Sequence, residues 1–128
     1  VDLREESHGF SHGNAVTWCG ERNWANVGKS RQQVLQDEQQ RLAEARGQRF
    51  QVVIEHTKKR NECIPLAANP TMTEKELGEQ IGSRYFRLTD TDHVWPAAEN
   101  IDMFIDFIQQ LPADAWIHFH CEAGDGRT

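Results

Sequence analysis

Long apolar runs are missing from this chain. No stretch of its 128 residues approaches the roughly 20 consecutive apolar residues that span a bilayer, so no membrane partner is expected. Positive charge is also short: 14 Lys and Arg stand against 20 Asp and Glu, for a net charge of −6 and a pI near 5.5. That balance argues against nucleic acid as a partner. An anionic small molecule would have to be caught by a local basic site, because the surface as a whole repels it. Cysteine is scarce, with Cys19, Cys63 and Cys121 only, and no C-x-x-C pair supplies the spacing of a zinc site. No metal or other cofactor is therefore expected. If Cys19 and Cys63 pair, one thiol is left over; the sequence is equally compatible with unpaired thiols. A leader is missing too: Val1–Glu6 (VDLREE) is charged and lacks an initiator Met. The expectation is the interior of a longer chain or a processed product.

Hydrophobic residues make up 38% of the chain, a lean supply for one compact domain. Ser7–Asn14, rich in His, Gly and Ser, reads as a loop. Ser30–Arg46 reads as a helix with Ser30 as N-cap, Gly47 as stop, and Val34, Leu35, Leu42 and Ala45 on one face. Gln51–Glu55 (QVVIE) is a β-branched run and reads as a strand. Lys58–Pro70 reads as a loop. Thr73–Ile81 is a second helix, opened by the Thr73/Glu76 capping-box pattern and closed by Gly82. Tyr85–Leu88 is a strand candidate, followed by the loop Thr89–Pro96. In Glu99–Leu111, Ile101, Phe104, Ile105, Ile108 and Leu111 recur at helical spacing, and Pro112 breaks the helix. Trp116–Phe119 (WIHF) reads as a last, buried strand. Strands alternating with helices imply an α/β sheet with crossover connections. Trp18, Trp24 and Trp116 are expected in the core.

The chemistry follows that last strand. His120–Thr128 reads HCEAGDGRT: a cysteine, five residues, then an arginine, at a glycine-rich turn. Such a turn cradles phosphate, because Gly124 and Gly126 let successive N–H groups curl inward on an anion. The loop residues Glu122, Ala123, Gly124, Asp125 and Gly126 are the candidate phosphate-binding backbone. A helix expected next would add its N-terminal dipole. Those dipoles and Arg127 favour a Cys121 thiolate, which can attack phosphorus. Arg127 can grip two phosphoryl oxygens in a fork. Thr128 offers a hydroxyl to the thiolate as leaving group, and His120 orients the loop through ring hydrogen bonds. Asp125 is expected to point outward or to bond a basic residue.

HCEAGDGRT resembles the signature loop of the protein tyrosine phosphatase superfamily. Five flanking strings resemble its bacterial branch of protein-tyrosine-phosphatase-like phytases: VDLREESHG at Val1–Gly9, WANVGK at Trp24–Lys29, TDHVWP at Thr91–Pro96, ENID at Glu99–Asp102 and DAWIHFHCEAG at Asp114–Gly124. The resemblance implies a sheet flanked by helices, with residues 1–128 a partial phosphatase domain that holds the general-acid loop and the phosphate loop. It implies that the family's N-terminal region and C-terminal helices lie outside these residues. It implies a phosphomonoesterase that acts on myo-inositol polyphosphates through a phosphocysteine, in a secreted or periplasmic setting. It also makes Asp92 the general acid, which the need to protonate a poor leaving group supports. Asp90 is the rival, and a Trp and a Pro in the same loop are expected to anchor it. The resemblance implies that His93 meets a neighbouring substrate phosphate; a loop histidine with local bonds is the alternative. Lys58, Lys59 and Arg60 are either further phosphate contacts or a solvated charge run. Asn23 stands where the better-known phytases carry an acidic residue. A phosphotyrosine or dual-specificity phosphatase, and a non-catalytic anion-binding fragment, remain as alternative readings.

Overall fold

The first residues of the chain carry the signature run. In the computed structural model, which describes residues 1–53 and 63–128, β1 (Asp2–Arg4) pairs in parallel with β7 (Arg87–Asp90). On the other edge of β1, the Leu3 N–H donates to His120 O at 3.0 Å and the His120 N–H donates to Val1 O at 3.1 Å. One parallel bridge, Asp2 to His120, is all that forms there. The expected strand Trp116–Phe119 is thus corrected to an irregular segment. Its partner offers acceptors and donors only from Val1 onward, so Trp116 and Ile117 run ahead of the ladder. Trp116 is 94% exposed and does not belong to the core.

Two other small sheets surround this pair. β2 (Ser7–Ser11) lies between β3 (Asn14–Trp18) and β6 (Thr71–Met72), antiparallel to both. The loop expected at Ser7–Asn14 is therefore a strand and a tight hairpin turn, with His12 and Gly13 both at positive φ (50° and 79°). Its composition hid the strand, and Gly9 has a packing reason to be there. A Cβ on Gly9 would come within 2.8 Å of Leu42 Cδ1 and 2.7 Å of Met72 O. β4 (Arg49–Val53) and β5 (Cys63–Ala67) form a two-stranded ribbon. The loop expected over Lys58–Pro70 is corrected at Cys63–Ala67; a ribbon leaves one edge of each strand unpaired, which tolerates Pro65. Lys58, Lys59 and Arg60 lie outside the described residues.

The helices follow their sequence signals closely. α1 (Arg31–Ala45) opens on a complete capping box between Ser30 and Gln33, and α2 (Glu74–Gln80) on one between Thr73 and Glu76. α1 buries Val34, Leu42 and Ala45 against β2, with the charged Glu38 in the same stripe. α3 (Ala98–Gln109) packs on β7 through one part of its apolar residues. Met103 and Phe104 pack on the core and Phe107 stacks on Phe86 at 4.1 Å, while Ile101, Ile105 and Ile108 stay outward. The core beneath β1 and β7 is Leu3, Leu88 and Cys121, ringed by Val1, Phe86, Met103 and Phe104. The architecture is mixed α/β, with the sulfur of Cys121 set into the core where β1 and β7 end.

Candidate active site

The loop after His120 wraps its own cysteine. Cys121 is a free thiol, 7% exposed. The Gly124 N–H donates to its Sγ at 3.2 Å, and Gly124 takes the left-handed conformation, φ 82°, that aims this donor inward. Burial pushes the thiol up. The backbone N–H groups of Arg127, Gly124 and Gly126 and the guanidinium charge outweigh it, and hold Cys121 below its ordinary value. The Thr128 hydroxyl donates to Gly124 O, which closes the loop on itself. The expected contact of Thr128 with the thiolate is therefore not made in this arrangement. Asp125 and Ala123 are exposed. Glu122 is half-buried at the rim of the cradle.

Arg127 is held from behind. Its Nη1 and Nη2 donate to the two oxygens of Glu6 at 2.6 and 2.7 Å, and Nη1 also reaches Asp90 O at 3.3 Å. Glu6 is fully buried and the Arg127 side chain is 4% exposed. A bidentate pair of this kind fixes the guanidinium plane as well as its position. Arg127 Nε is buried with no acceptor among the described residues. A buried cationic donor without an acceptor costs free energy unless an anion meets it.

Asp92 occupies the rim. Its Oδ2 is 3.7 Å from Arg127 Nη2, and its Oδ1 is 3.3 Å from where a Cβ on Gly126 would stand. Gly126 is thus the residue type that lets the carboxylate approach the loop. Burial would raise Asp92, but the Asn23 amide (2.8 Å to Oδ2), Arg127, His93 and the His93 N–H (3.0 Å to Oδ1) hold it below its usual range. Asp90, the rival, turns to α3 and accepts from Asn100 Nδ2 at 2.7 Å; burial raises it. Geometry separates the two, since only Asp92 has its carboxylate beside the cradle. The anchor of this turn differs from the expected one. Trp95 is 93% exposed, and the tie is made by Trp24, whose Nε1 donates to Asp92 O at 2.9 Å. Trp24 itself is 40% exposed, so it is not a core residue either, and Trp18 is half-buried with Arg41 over its ring. His93 has left-handed backbone (φ 66°) and a side chain 60% exposed, with Nε2 at 3.8 Å from Asp92 Oδ2.

Beneath the cradle lies a network of buried charge. His120 sits between Glu74 Oε1 (3.2 Å) and Cys121 O (3.4 Å), and burial lowers it despite Glu74 and Asp2. Asp2, Glu74 and His120 bring ligand atoms within 4.8 Å of one another. Their oxygens are already taken: Arg4 bonds both carboxylates, His8 Nε2 lies 2.9 Å from Asp2 and 3.2 Å from Glu74, and the Tyr85 hydroxyl donates to Asp2 at 2.6 Å. Charge neutralisation by Arg4, His8 and Arg87 does there what a cation would do. Glu6, Asn23, Trp24 and Glu74 were not singled out by sequence reasoning for these contacts. Trp24 sits inside a string that carried the resemblance, and Glu6 inside another, which was the available signal.

The PTPlike_phytase family model, described by the words inositol hexakisphosphate, matches residues 1–128. The chain is similar to the tandemly repeated protein tyrosine phosphatase like phytase from Mitsuokella multacida: 48% identity, TM-score 0.89, covering 96% of this chain and 21% of that one. It is similar to the PTP-like myo-inositol phosphatase of the same organism, solved in complex with myo-inositol-(1,3,4,5)-tetrakisphosphate: 47% identity, TM-score 0.89, with 96% and 21% covered. Effector protein hopD2 of Pseudomonas syringae pv. tomato is 31% identical over 134 residues, which take in 100% of this chain and 29% of that protein. The chain spans less than a third of the length of each.

Proposed function

The chain belongs to the PTP-like phytase family, and from that premise we propose that it supplies the nucleophile, the phosphate cradle and the general acid for hydrolysis of myo-inositol polyphosphates. The observation that carries the reading is the pairing of a thiol held toward its anion by three backbone N–H groups with a buried guanidinium whose Nε has no acceptor among the described residues. In the first step the Cys121 thiolate attacks phosphorus. The S–P bond forms, the ester P–O bond breaks, and the proton of Asp92 goes to the departing alkoxide. The loop N–H groups and Arg127 meet the charge that develops on the equatorial oxygens. In the second step water attacks the phosphocysteine, Asp92 takes a proton from it, and the S–P bond breaks to return the thiolate and release phosphate. His120 orients the loop, and Thr128 reaches the leaving sulfur only if it gives up Gly124 O. His93, exposed beside Asp92, is placed in this reading as a contact for a neighbouring phosphate.

The phytase that binds an inositol tetrakisphosphate supports this substrate class. The test is catalytic efficiency on inositol hexakisphosphate against a phosphotyrosine peptide, at two salt concentrations, with the Cys121→Ser protein as control. A preference for the inositol compound that shrinks as salt rises is expected, because a polyanion gains more from local basic charge. A salt-independent preference for the peptide would move the substrate to phosphotyrosine. Retained turnover by Cys121→Ser would remove the covalent mechanism.

A further inference from the structure

The turn that holds Asp92 is itself strained and tied at both ends. The short 3-10 turn Glu21–Asn23 follows Gly20 (φ 63°), and both Arg22 (φ 55°) and Asn23 (φ 63°) have left-handed backbone. Such conformations are uncommon for residues other than glycine, less so for Asn than for Arg, and persist where surrounding contacts impose them. Those contacts are visible. Trp24 N–H donates to Glu21 O at 3.0 Å and Ala25 N–H to Cys19 O at 3.2 Å; Arg22 lies over the Trp24 ring at 5.3 Å. Asn26, 1% exposed, donates to Glu5 O at 3.0 Å and to the Ser7 hydroxyl at 2.9 Å, which fastens the segment to the strands beneath the cradle. The result is two donors delivered to one residue: Asn23 Nδ2 to the Asp92 carboxylate and Trp24 Nε1 to its backbone carbonyl.

We propose that Asn23 is a positioning residue for Asp92, and that its amide, set by this left-handed turn, favours the carboxylate form of the aspartate. The inference rests on Asp92 acting as general acid. An amide N–H donates to a carboxylate oxygen but offers nothing comparable to a carboxylic acid proton, so it favours the charged form. The other groups that face Asp92 act in the same sense: Arg127 from the signature loop at 3.7 Å, and His93 from its own turn through its N–H and its ring. The first step needs the opposite form. A phosphate dianion in the cradle would engage Arg127 and repel the carboxylate, which leaves the Asn23 amide on Oδ2 and the His93 N–H on Oδ1 as the restraints that remain, and of these only the Asn23 amide is a side chain. The Asn23 amide then sets the alkaline limit of alkyl ester hydrolysis.

The experiment compares wild type, Asn23→Gly and Asn23→Asp in the full-length protein. Glycine accepts φ 63° without strain and removes only the amide, so the turn survives. Aspartate sets a second carboxylate 2.8 Å from the first. The carboxyl of Asp92 is titrated directly by carbon-13 NMR, and rate is followed against pH on an inositol phosphate and on an aryl phosphate. Asp92 should titrate higher in Asn23→Gly and higher again in Asn23→Asp. The alkaline limb on the inositol phosphate should move with it, and relative turnover on that limb should rise about tenfold for each pH unit that it moves. No such movement should appear on the aryl phosphate, which expels a good leaving group. Asp92 titrating alike in all three proteins would overturn the inference. A uniform loss on both substrates with an unmoved titration would reduce Asn23 to a structural role and overturn it as well. The NMR titration does not depend on turnover, so failure of the proposed phosphatase activity would be seen separately, as a wild type that hydrolyses neither ester.

Discussion

Glu6→Gln isolates the contact that aims the active-site arginine. Gln is isosteric with Glu and keeps one oxygen acceptor, but it presents an NH2 group to the second guanidinium N–H, so one of the two bonds at 2.6 and 2.7 Å becomes a donor–donor clash. Glu6 is fully buried and the Arg127 side chain nearly so, and water cannot repair the loss. Removing one partner of a buried pair costs about 3–5 kcal/mol; the retained bond places this variant near 3 kcal/mol. At a urea slope of about 1–3 kcal/mol/M, that lowers the denaturation midpoint by roughly 1–3 M. The functional loss should exceed the loss of stability. Glu6 fixes the plane in which Arg127 meets the phosphoryl oxygens, and a displaced donor of this kind costs on the order of 10²–10³ in kcat. Two assays on the full-length protein separate the effects: urea unfolding, and kcat/KM on an aryl phosphate at a denaturant concentration where both proteins are fully folded. A variant with a lowered midpoint and kcat/KM within threefold of wild type would refute the reasoning, because Glu6 would then hold the fold without aiming Arg127.

Two further outcomes follow from the same geometry. Asp92→Asn should lower kcat on inositol phosphates by roughly 10²–10⁴ and on an aryl phosphate far less, because only the poor leaving group needs the proton; equal losses on both would give Asp92 another role. His8→Gln should destabilise the protein in a pH-dependent way. Burial works against charge on His8, but hydrogen bonds to Asp2 and Glu74 win and raise it, with Glu38 from α1 at 3.4 Å and the opposing Arg87 from β7 also facing the ring. A folded-state value above the unfolded one near 6.5 means that the stabilisation is complete below about pH 6.5 and fades as pH rises through the folded value. The gap in unfolding free energy between wild type and His8→Gln should therefore narrow on the alkaline side; a constant or widening gap would contradict the assignment.

What the sequence made legible follows a physical line. The helices were readable because their signals are local: Ser30 and Thr73 cap within four residues of what they bond, and both capping boxes form. The cradle was readable because its donors are its own backbone, from Gly124 to Arg127. The partners of that cradle were not, because Glu6 lies 121 positions from Arg127 and Asn23 lies 69 from Asp92. Trp95 was given the anchoring role by proximity along the chain, while the tie is made by Trp24 from a distant turn. In α3, isoleucines at helical spacing mark an apolar stripe, but which part of it packs depends on where Phe86 and Leu3 stand.

The opening string is both charged and buried. Read for hydrophobicity, VDLREESHG shows little alternation, and Val1–Glu6 looks like a charged, solvated start. Read for charge, Asp2, Arg4, Glu5, Glu6 and His8 are ionisable, five of its nine residues. All five are buried, at 0%, 8%, 5%, 0% and 1% exposure. Asp2 meets Arg4, His8, Tyr85 and Arg87; Glu6 meets Arg127; His8 meets Asp2 and Glu74. An apolar string of the same length would bury as well and with less risk, since buried ion pairs seldom stabilise more than the hydrophobic residues that could replace them. The charged string does something that apolar side chains cannot. Glu6, between β1 and β2, sets a fixed direction for Arg127, and Arg4 and His8 bond Glu74 of α2, which pairs with His120. The lean core and the charged opening segment are thus one feature of this chain: residues that would have enlarged the core are the ones that aim the phosphate site.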